Sequence, residues 1–370
     1  MILLNQPLIR DDEIANVNQA LHEGCISGLV GSFIGRFEKE FSHYCGARYG
    51  VATSSGTTAL HLALAVLGIG PGDEVIIPAF THITSAFSVF YCGATPVLAD
   101  CQAGSLGIDP SHIQQLITPR TKAVLVVHLY GHPADMYSLV QSIRPHGIAI
   151  IEDAAEAHGA AINGQKVGSF GDLACFSFLA NKVITTGEGG MIVTNSYELT
   201  QRARLLRNLA FEPEHKFLHH VIGFNYRMSN ILAALGVAQL KRIDQIIHRK
   251  RQIASYYSER FKDISGLTIP TEEPGCKHVY WVYLILVDSA TFGCSRDEII
   301  SELKKRGIET RAAFVPMHLQ PVVQAKGLFI GQKFPVAEDV AMRGLYLPVG
   351  AGMTDGEVEY VADCMIATRS

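Results

Sequence analysis

Apolar and polar positions along this chain fall into short segments of two kinds that take turns. Runs such as Glu74-Val-Ile-Ile77, Ala123-Val-Leu-Val-Val-His128 and Ile148-Ala-Ile-Ile151 have no polar face and predict buried strands, as do Tyr49 to Thr53 and Pro96 to Leu98. Between them, apolar residues recur at helical spacing in Ala59 to Leu67 (stopped by Gly68), Thr84 to Tyr91, an Asp109-capped segment to Ile117, and Met136 to Ile143. Strands alternating with amphipathic helices predict an α/β fold whose parallel or mixed sheet is covered on both faces. Ligands of such sheets bind beyond the C-terminal ends of the strands.

Two helices precede this region. Asp11 or Asp12 caps the first, with Ile14, Val17 and Leu21 as its apolar face and Gly24 as its end. Phe33, Phe37, Phe41 and Tyr44 mark the second, a core-facing stripe before Gly46.

Beyond residue 195 the pattern changes. Ser196 begins a basic helix through Arg202, Arg204 and Arg207, and Ser229 opens one long helical pattern from Ile231 past Ile253, with Arg249-Lys-Arg251 on a solvated face. A strand from Trp281 to Val287, a helix from Ser295 to Arg306, a strand from Thr310 to Val315 and a last helix capped by Thr354 complete the chain. The shift predicts a large domain over residues 1–245 and a smaller C-terminal α/β domain over 246–370.

Composition narrows the function. Of 370 residues, 48% are hydrophobic and 18% charged, the balance of a well-packed globule, and a net charge of -4 offers no basic surface to nucleic acid or membrane. No basic segment followed by a long apolar run opens the chain, and no apolar stretch reaches spanning length. The eight cysteines form no CxxC pair and lie near no histidine cluster, so reduced, mostly buried thiols in a cytoplasmic protein are expected, and no metal site.

Candidate chemistry centres on Cys175-Phe-Ser-Phe-Leu-Ala-Asn-Lys182 and the Gly187-Glu-Gly-Gly190 turn that follows it. Ala174 to Phe178 and Met191 to Thr194 read as buried strands, which places Lys182 on a loop between rigid neighbours. An ammonium is costly to bury among Phe, Leu, Ile and Val, so the neutral amine becomes accessible, and a neutral amine condenses with an aldehyde. After the strand ending at Thr53, Ser54-Ser-Gly-Thr-Thr58 opens a helix. Its backbone N–H groups, with Gly56 for close approach and hydroxyls at Ser55, Thr57 and Thr58, suit a phosphate, and they equally suit a plain helix cap. Asp153 stands directly after an apolar strand, where a carboxylate has no packing role. Pyridoxal phosphate carries an aldehyde, a phosphate and a pyridine nitrogen that must stay protonated, and these three stretches supply one partner for each.

The motifs Asn181-Lys-Val-Ile-Thr-Thr-Gly-Glu-Gly-Gly-Met191, His128-Leu-Tyr-Gly-His-Pro133, Ile151-Glu-Asp-Ala-Ala-Glu-Ala157 and Gly223-Phe-Asn-Tyr-Arg-Met228 resemble the DegT/DnrJ family of nucleotide-sugar aminotransferases, over essentially the whole chain. The resemblance implies the fold type I architecture of aspartate aminotransferase and pyridoxal 5'-phosphate as cofactor, alternating with its pyridoxamine form. It implies that Lys182 binds the cofactor, that Asp153 pairs with the pyridine nitrogen, and that Ser55, Gly56, Thr57 and Ser177 surround the phosphate. Glu156 joins this set. His82 falls where most relatives place an aromatic ring to stack on the cofactor, and Asn225 is expected to reach the phosphate in the neighbouring subunit of a homodimer with shared sites. His318 and Arg311 are expected near the sugar, although Ala312 departs from the proline usual after that arginine.

The activity so implied moves an amino group from L-glutamate to C4 of a 4-keto-6-deoxy nucleotide sugar, with GDP-4-keto-6-deoxymannose favoured as acceptor and GDP-perosamine, for surface polysaccharide of the O-antigen kind, as product. UDP- or dTDP-linked keto sugars are the alternative acceptors. Dehydratases of the family carry histidine in place of the lysine, and Lys182 argues against that chemistry.

Overall fold

The computed structural model describes residues 1–212 and 214–369. Its main sheet has seven strands in the spatial order Tyr49–Thr53, Gly190–Thr194, Leu173–Ser177, Ala149–Asp153, Thr121–Val127, Glu74–Pro78 and Thr95–Ala99. Gly190–Thr194 runs antiparallel to both of its neighbours, and every other pairing in this sheet is parallel. The sheet is therefore mixed and mostly parallel, buried on both faces, as the unbroken apolar strands require.

One face packs on Gly56–Val66 and on the aromatic stripe: Phe33, Phe37 and Phe41 are buried, with Phe41 edge-on to Phe176 and Phe178. The opposite face is closed by Ile113, Met136, Leu139 and Ile143 from helices Pro110–Leu116 and Met136–Ile143. Beyond it, an antiparallel sheet of Leu267–Thr268, Tyr283–Val287, Gly344–Leu347 and Arg311–Ala312 is packed by Ile243–Phe261, Arg296–Lys305 and Asp355–Ile366 around its own core, which includes Tyr257, Phe261 and Leu303.

Several expectations fail for identifiable reasons. In the first helix, Asp11–His22, Ile14 and Leu21 are exposed, and Glu13 and Ala20 face inward. Glu13 is buried because Arg242 and Gln239 supply its hydrogen bonds. The long pattern after Ser229 is two helices, Asn230–Lys241 and Ile243–Phe261, broken where Arg242 leaves helical geometry at φ -112° and ψ 5°. Arg249-Lys-Arg251 is not a solvated face. Lys250 is fully buried, its Nζ donating to the Val349 carbonyl at 2.8 Å, and burial pushes its amine down to about 7. The strand expected from Thr310 to Val315 is only Arg311–Ala312. All eight cysteines are free; Cys45, Cys101, Cys175 and Cys364 are buried and the other four only partly so.

Candidate active site

The reversed strand builds the site. Leu173–Ser177 leaves the sheet, and Gly190–Thr194 re-enters it, at the edge where Tyr49–Thr53, Glu74–Pro78 and Ala149–Asp153 also end. The connecting loop turns back through Gly187 at φ +84° and Gly189 at φ +155°, conformations that side chains with a Cβ rarely adopt. A Cβ on Gly190 would stand 2.2 Å from the Ser55 carbonyl oxygen, so the strand start presses directly on the neighbouring helix cap.

A cleft of about 220 Å³ opens at this edge. Its wall includes Ser55, Gly56, Thr57, His82, Asp153, Glu156, Ser177, Lys182 and Arg311. Residues spread from 55 to 311 in sequence thus share one cavity. Asn225 and His318 do not line it. Asn225 is exposed on the outer surface, and His318 is buried beside Glu338, Nε2 to Oε1 3.1 Å, and against the Phe334 ring.

Ser55 caps the helix Gly56–Val66. Its Oγ accepts from the Thr58 N–H at 3.1 Å and Thr58 Oγ1 accepts from the Ser55 N–H at 2.9 Å. The cap reading of this loop therefore holds, and it leaves the helix N-terminus turned to the cleft, where its partial positive charge favours an anion. Gly56 is the point of closest approach: a Cβ there would meet Ser177 Cβ at 2.7 Å.

Lys182 Nζ is held between a carboxylate and an aromatic face, 3.7 Å from Glu156 Oε1 and 3.9 Å from the centre of the Trp281 ring. Burial lowers the pKa of this amine, and the charges of Glu156 and Asp153 oppose that shift. Burial likewise raises Glu156 to about 7 against the pull of Lys182, while its Oε2 accepts from the Tyr130 N–H at 2.8 Å. Asp153 is buried at the end of its strand. Desolvation raises its pKa, opposed by the Ala155 N–H at 3.1 Å, by Lys182 and by the Ser85 hydroxyl at 3.3 Å. His82 stands at the rim, Nδ1 on Thr84 Oγ1 at 2.9 Å and its ring edge-on to Phe314.

The donor set fits pyridoxal phosphate. A primary amine, a buried carboxylate on a strand end, and hydroxyls grouped at a helix N-terminus all face one cleft, whose floor a single Cβ at Gly56 would crowd. Among the described residues no cluster of side chains could hold a metal ion.

Sequence reasoning missed Ser85, Tyr130, Asn5 and Trp281. The Asn5 amide donates to the carbonyls of Asn181 at 2.6 Å and Lys182 at 3.2 Å, and the Trp281 indole N–H donates to Asn181 at 2.7 Å. Tyr130 lies within the His128–Pro133 motif, which gave no sign of its backbone geometry at φ +55° or of its contact with Glu156.

The model of the DegT/DnrJ/EryC1/StrS aminotransferase family matches residues 7–366. The GDP-perosamine synthase of Caulobacter vibrioides is 44% identical over 333 residues, 90% of this chain and 89% of that protein. Among solved structures, S. venezuelae DesV superposes with a TM-score of 0.90 at 36% identity, covering 97% of this chain and 94% of that one. The Streptococcus pneumoniae protein Spr1654 in its PLP form gives a TM-score of 0.93 at 28% identity, covering 99% of this chain and 98% of that one.

Proposed function

The chain belongs to the DegT/DnrJ/EryC1/StrS aminotransferase family and is a pyridoxal-phosphate-dependent transaminase of nucleotide sugars; from that premise we propose that it carries the amino group of L-glutamate to C4 of GDP-4-keto-6-deoxymannose. The observation that carries this reading is the convergence of Lys182, Asp153 and the Ser55-Gly56-Thr57 cap on one cleft. The similarity to GDP-perosamine synthases supports the choice of acceptor.

When bound, the cofactor supplies an aldehyde that takes up an amino group and a ring that stores the electron pair left by a departing proton. Ser55, Gly56, Thr57 and Ser177 hold its phosphate. Asp153 holds the proton on its pyridine nitrogen, a task suited to a carboxylate whose basicity burial has raised. Lys182 Nζ takes the proton from the α-carbon of the amino donor, and in the second half of the cycle it serves C4 of the sugar in reverse. Burial lowers the basicity of that amine toward its neutral, reactive form, and the charges of Glu156 and Asp153 beside it oppose the shift, with Glu156 as the group that tunes the balance. His82 and Arg311 line the cleft, where the ring face and the sugar are expected, whereas His318, buried against Glu338 and Phe334 outside it, is given no part in holding the sugar.

The active unit in this reading is a homodimer. Asn225 is exposed and outside the cleft of its own chain, and Phe217, Leu218, Val221 and Ile222 beside it are exposed as well, as are Ile14, Leu21, Ile26 and Leu29. Apolar surface of this extent supports burial against a second copy. A smaller C-terminal domain is supported by the second core, whose buried members begin at Ile253, while Ile246 and Ile247 earlier in the helix Ile243–Phe261 pack in the large core. Among the described residues no helix is long and apolar enough to cross a membrane, and we assign the enzyme to the cytoplasm, supplying an amino sugar for surface polysaccharide.

Two measurements test the function. L-glutamate alone should bleach the yellow colour of the purified enzyme. The aminated form should then pass its amino group, in a single turnover, to GDP-4-keto-6-deoxymannose faster than to UDP- or dTDP-linked 4-keto sugars. Faster transfer to either of the others overturns the assigned acceptor.

A further inference from the structure

Trp281 is the only tryptophan in the chain, and 95% of its surface is buried. Its indole N–H fixes the carbonyl of Asn181 at 2.7 Å, its ring centre lies 3.9 Å from Lys182 Nζ, and its own N–H bonds the Tyr130 carbonyl at 3.0 Å. The Trp281 and Tyr130 rings are stacked, 6.3 Å apart at 17°. Tyr130 in turn donates its N–H to Glu156, whose other oxygen faces Lys182. These contacts form a closed circuit around one amine. The loop needs no such circuit for stability alone, since Asn5 already binds the same carbonyl.

We propose that Trp281 is the positioning residue for Lys182: its ring face receives the lysine as an ammonium whenever the amine is not covalently engaged, and its indole N–H fixes the loop so that the amine returns to the same place. The inference rests on the assignment of Lys182 as the cofactor-binding lysine. The ring quadrupole attracts a cation and ignores the neutral amine, so the contact favours the charged form and opposes desolvation. Its effect is read against the other groups around this amine: Glu156 and Asp153, which favour the charge, His82 and His158, which Lys182 influences in turn, and Glu188, Arg311 and Tyr346 on the same cleft wall.

A single tryptophan makes the test specific. Biosynthetic replacement of tryptophan by its mono-, di- and trifluoro analogues alters position 281 alone, withdrawing electron density from the ring face while keeping its shape and its N–H. Each protein is stripped of cofactor, challenged with pyridoxal phosphate across a pH series, reduced with borohydride, and the modified peptide quantified by mass. The midpoint of covalent capture at Lys182 should move to lower pH with each added fluorine, by about one pH unit over the series, because the ammonium loses support. Trp281→Leu should shift it as far or further, and Trp281→Phe should fall between.

A merely structural role would slow capture at every pH and leave the midpoint in place. Capture at Lys182 with coincident midpoints, or midpoints moving upward, overturns this proposal alone. Capture at a different lysine overturns it together with the assignment of Lys182. The fluorinated proteins keep the test valid where Trp281→Leu fails to fold.

Discussion

Lys182 Nζ and Glu156 Oε1 stand 3.7 Å apart, both side chains almost wholly out of water, with the carboxyl raised to about 7 by burial and the amine lowered by the same cause. A buried acid and base placed so closely set each other's proton affinity. The carboxylate form of Glu156, dominant above about 7, supports the ammonium form of Lys182. Glu156→Gln removes that support, so the pH at which Lys182 loses its proton should fall by about 1–3 units. In single-turnover bleaching by glutamate, the alkaline-favoured limb of the rate profile should move to lower pH by that amount. An unmoved limb would show that Glu156 does not tune the amine.

Asp153→Asn keeps the shape at the end of the Ala149–Asp153 strand and removes its charge. The proton on the pyridine nitrogen then has no counter-ion, and proton removal from glutamate should slow by about 10³–10⁴, the scale on which a buried orienting carboxylate acts elsewhere. Cofactor content by absorbance should stay near normal. Wild-type rates in this variant would separate Asp153 from the ring nitrogen.

Gly190→Ala tests the packing of the hairpin on the cap. The new Cβ would lie 2.2 Å from the Ser55 carbonyl oxygen, so either the cap or the strand start must shift. Stability should drop by about 1–3 kcal/mol, as overpacked sites do. Pyridoxal phosphate should bind more weakly in the same variant, measured by equilibrium dialysis of the stripped protein, since the displaced group is the phosphate cradle. A stable protein with unchanged affinity would place the cofactor away from this cap.

The shared site is tested by mixing. Lys182→Ala and Asn225→Asp should each be inactive as pure proteins. In a heterodimer of the two, one site collects both defects and the other collects neither, so activity should reappear up to one working site per heterodimer. The readout is turnover after subunit exchange, with heterodimers quantified by native mass spectrometry. No recovery in demonstrated heterodimers, with normal cofactor affinity in Asn225→Asp, would return Asn225 to a role within its own loop.

Much of this site was legible because its principal residues sit at sequence landmarks. A lysine between two apolar strands, a carboxylate ending a third and a small polar loop ending a fourth can each be recognised locally, and the strand order then brings them to one edge. Trp281 and Asn5 could not be found that way. They touch the lysine loop from 100 and 176 positions away, and nothing in their own segments marks the contact. The first helix misleads because its apolar spacing points to a core that it does not face: Glu13, satisfied by Arg242 and Gln239, occupies the inner face and leaves Ile14 and Leu21 outside. Lys250 misled for the same reason: a charge run looks solvated until one carbonyl, that of Val349, gives its middle member a buried partner.

The antiparallel strand Gly190–Thr194 has a consequence for how long the site survives thermal fluctuation. Its backbone is bonded on one side to Tyr49–Thr53 and on the other to Leu173–Ser177, so its amides are divided between two ladders and all of them exchange with solvent only when both part. The hairpin that carries Lys182 is thereby anchored in the large sheet on both sides of this strand, next to the edge strand Tyr49–Thr53. Deuterium uptake over residues 190–194 should be far slower than at the exposed Leu179 and Ala180 of the same hairpin, so the strand that closes the hairpin outlasts its tip.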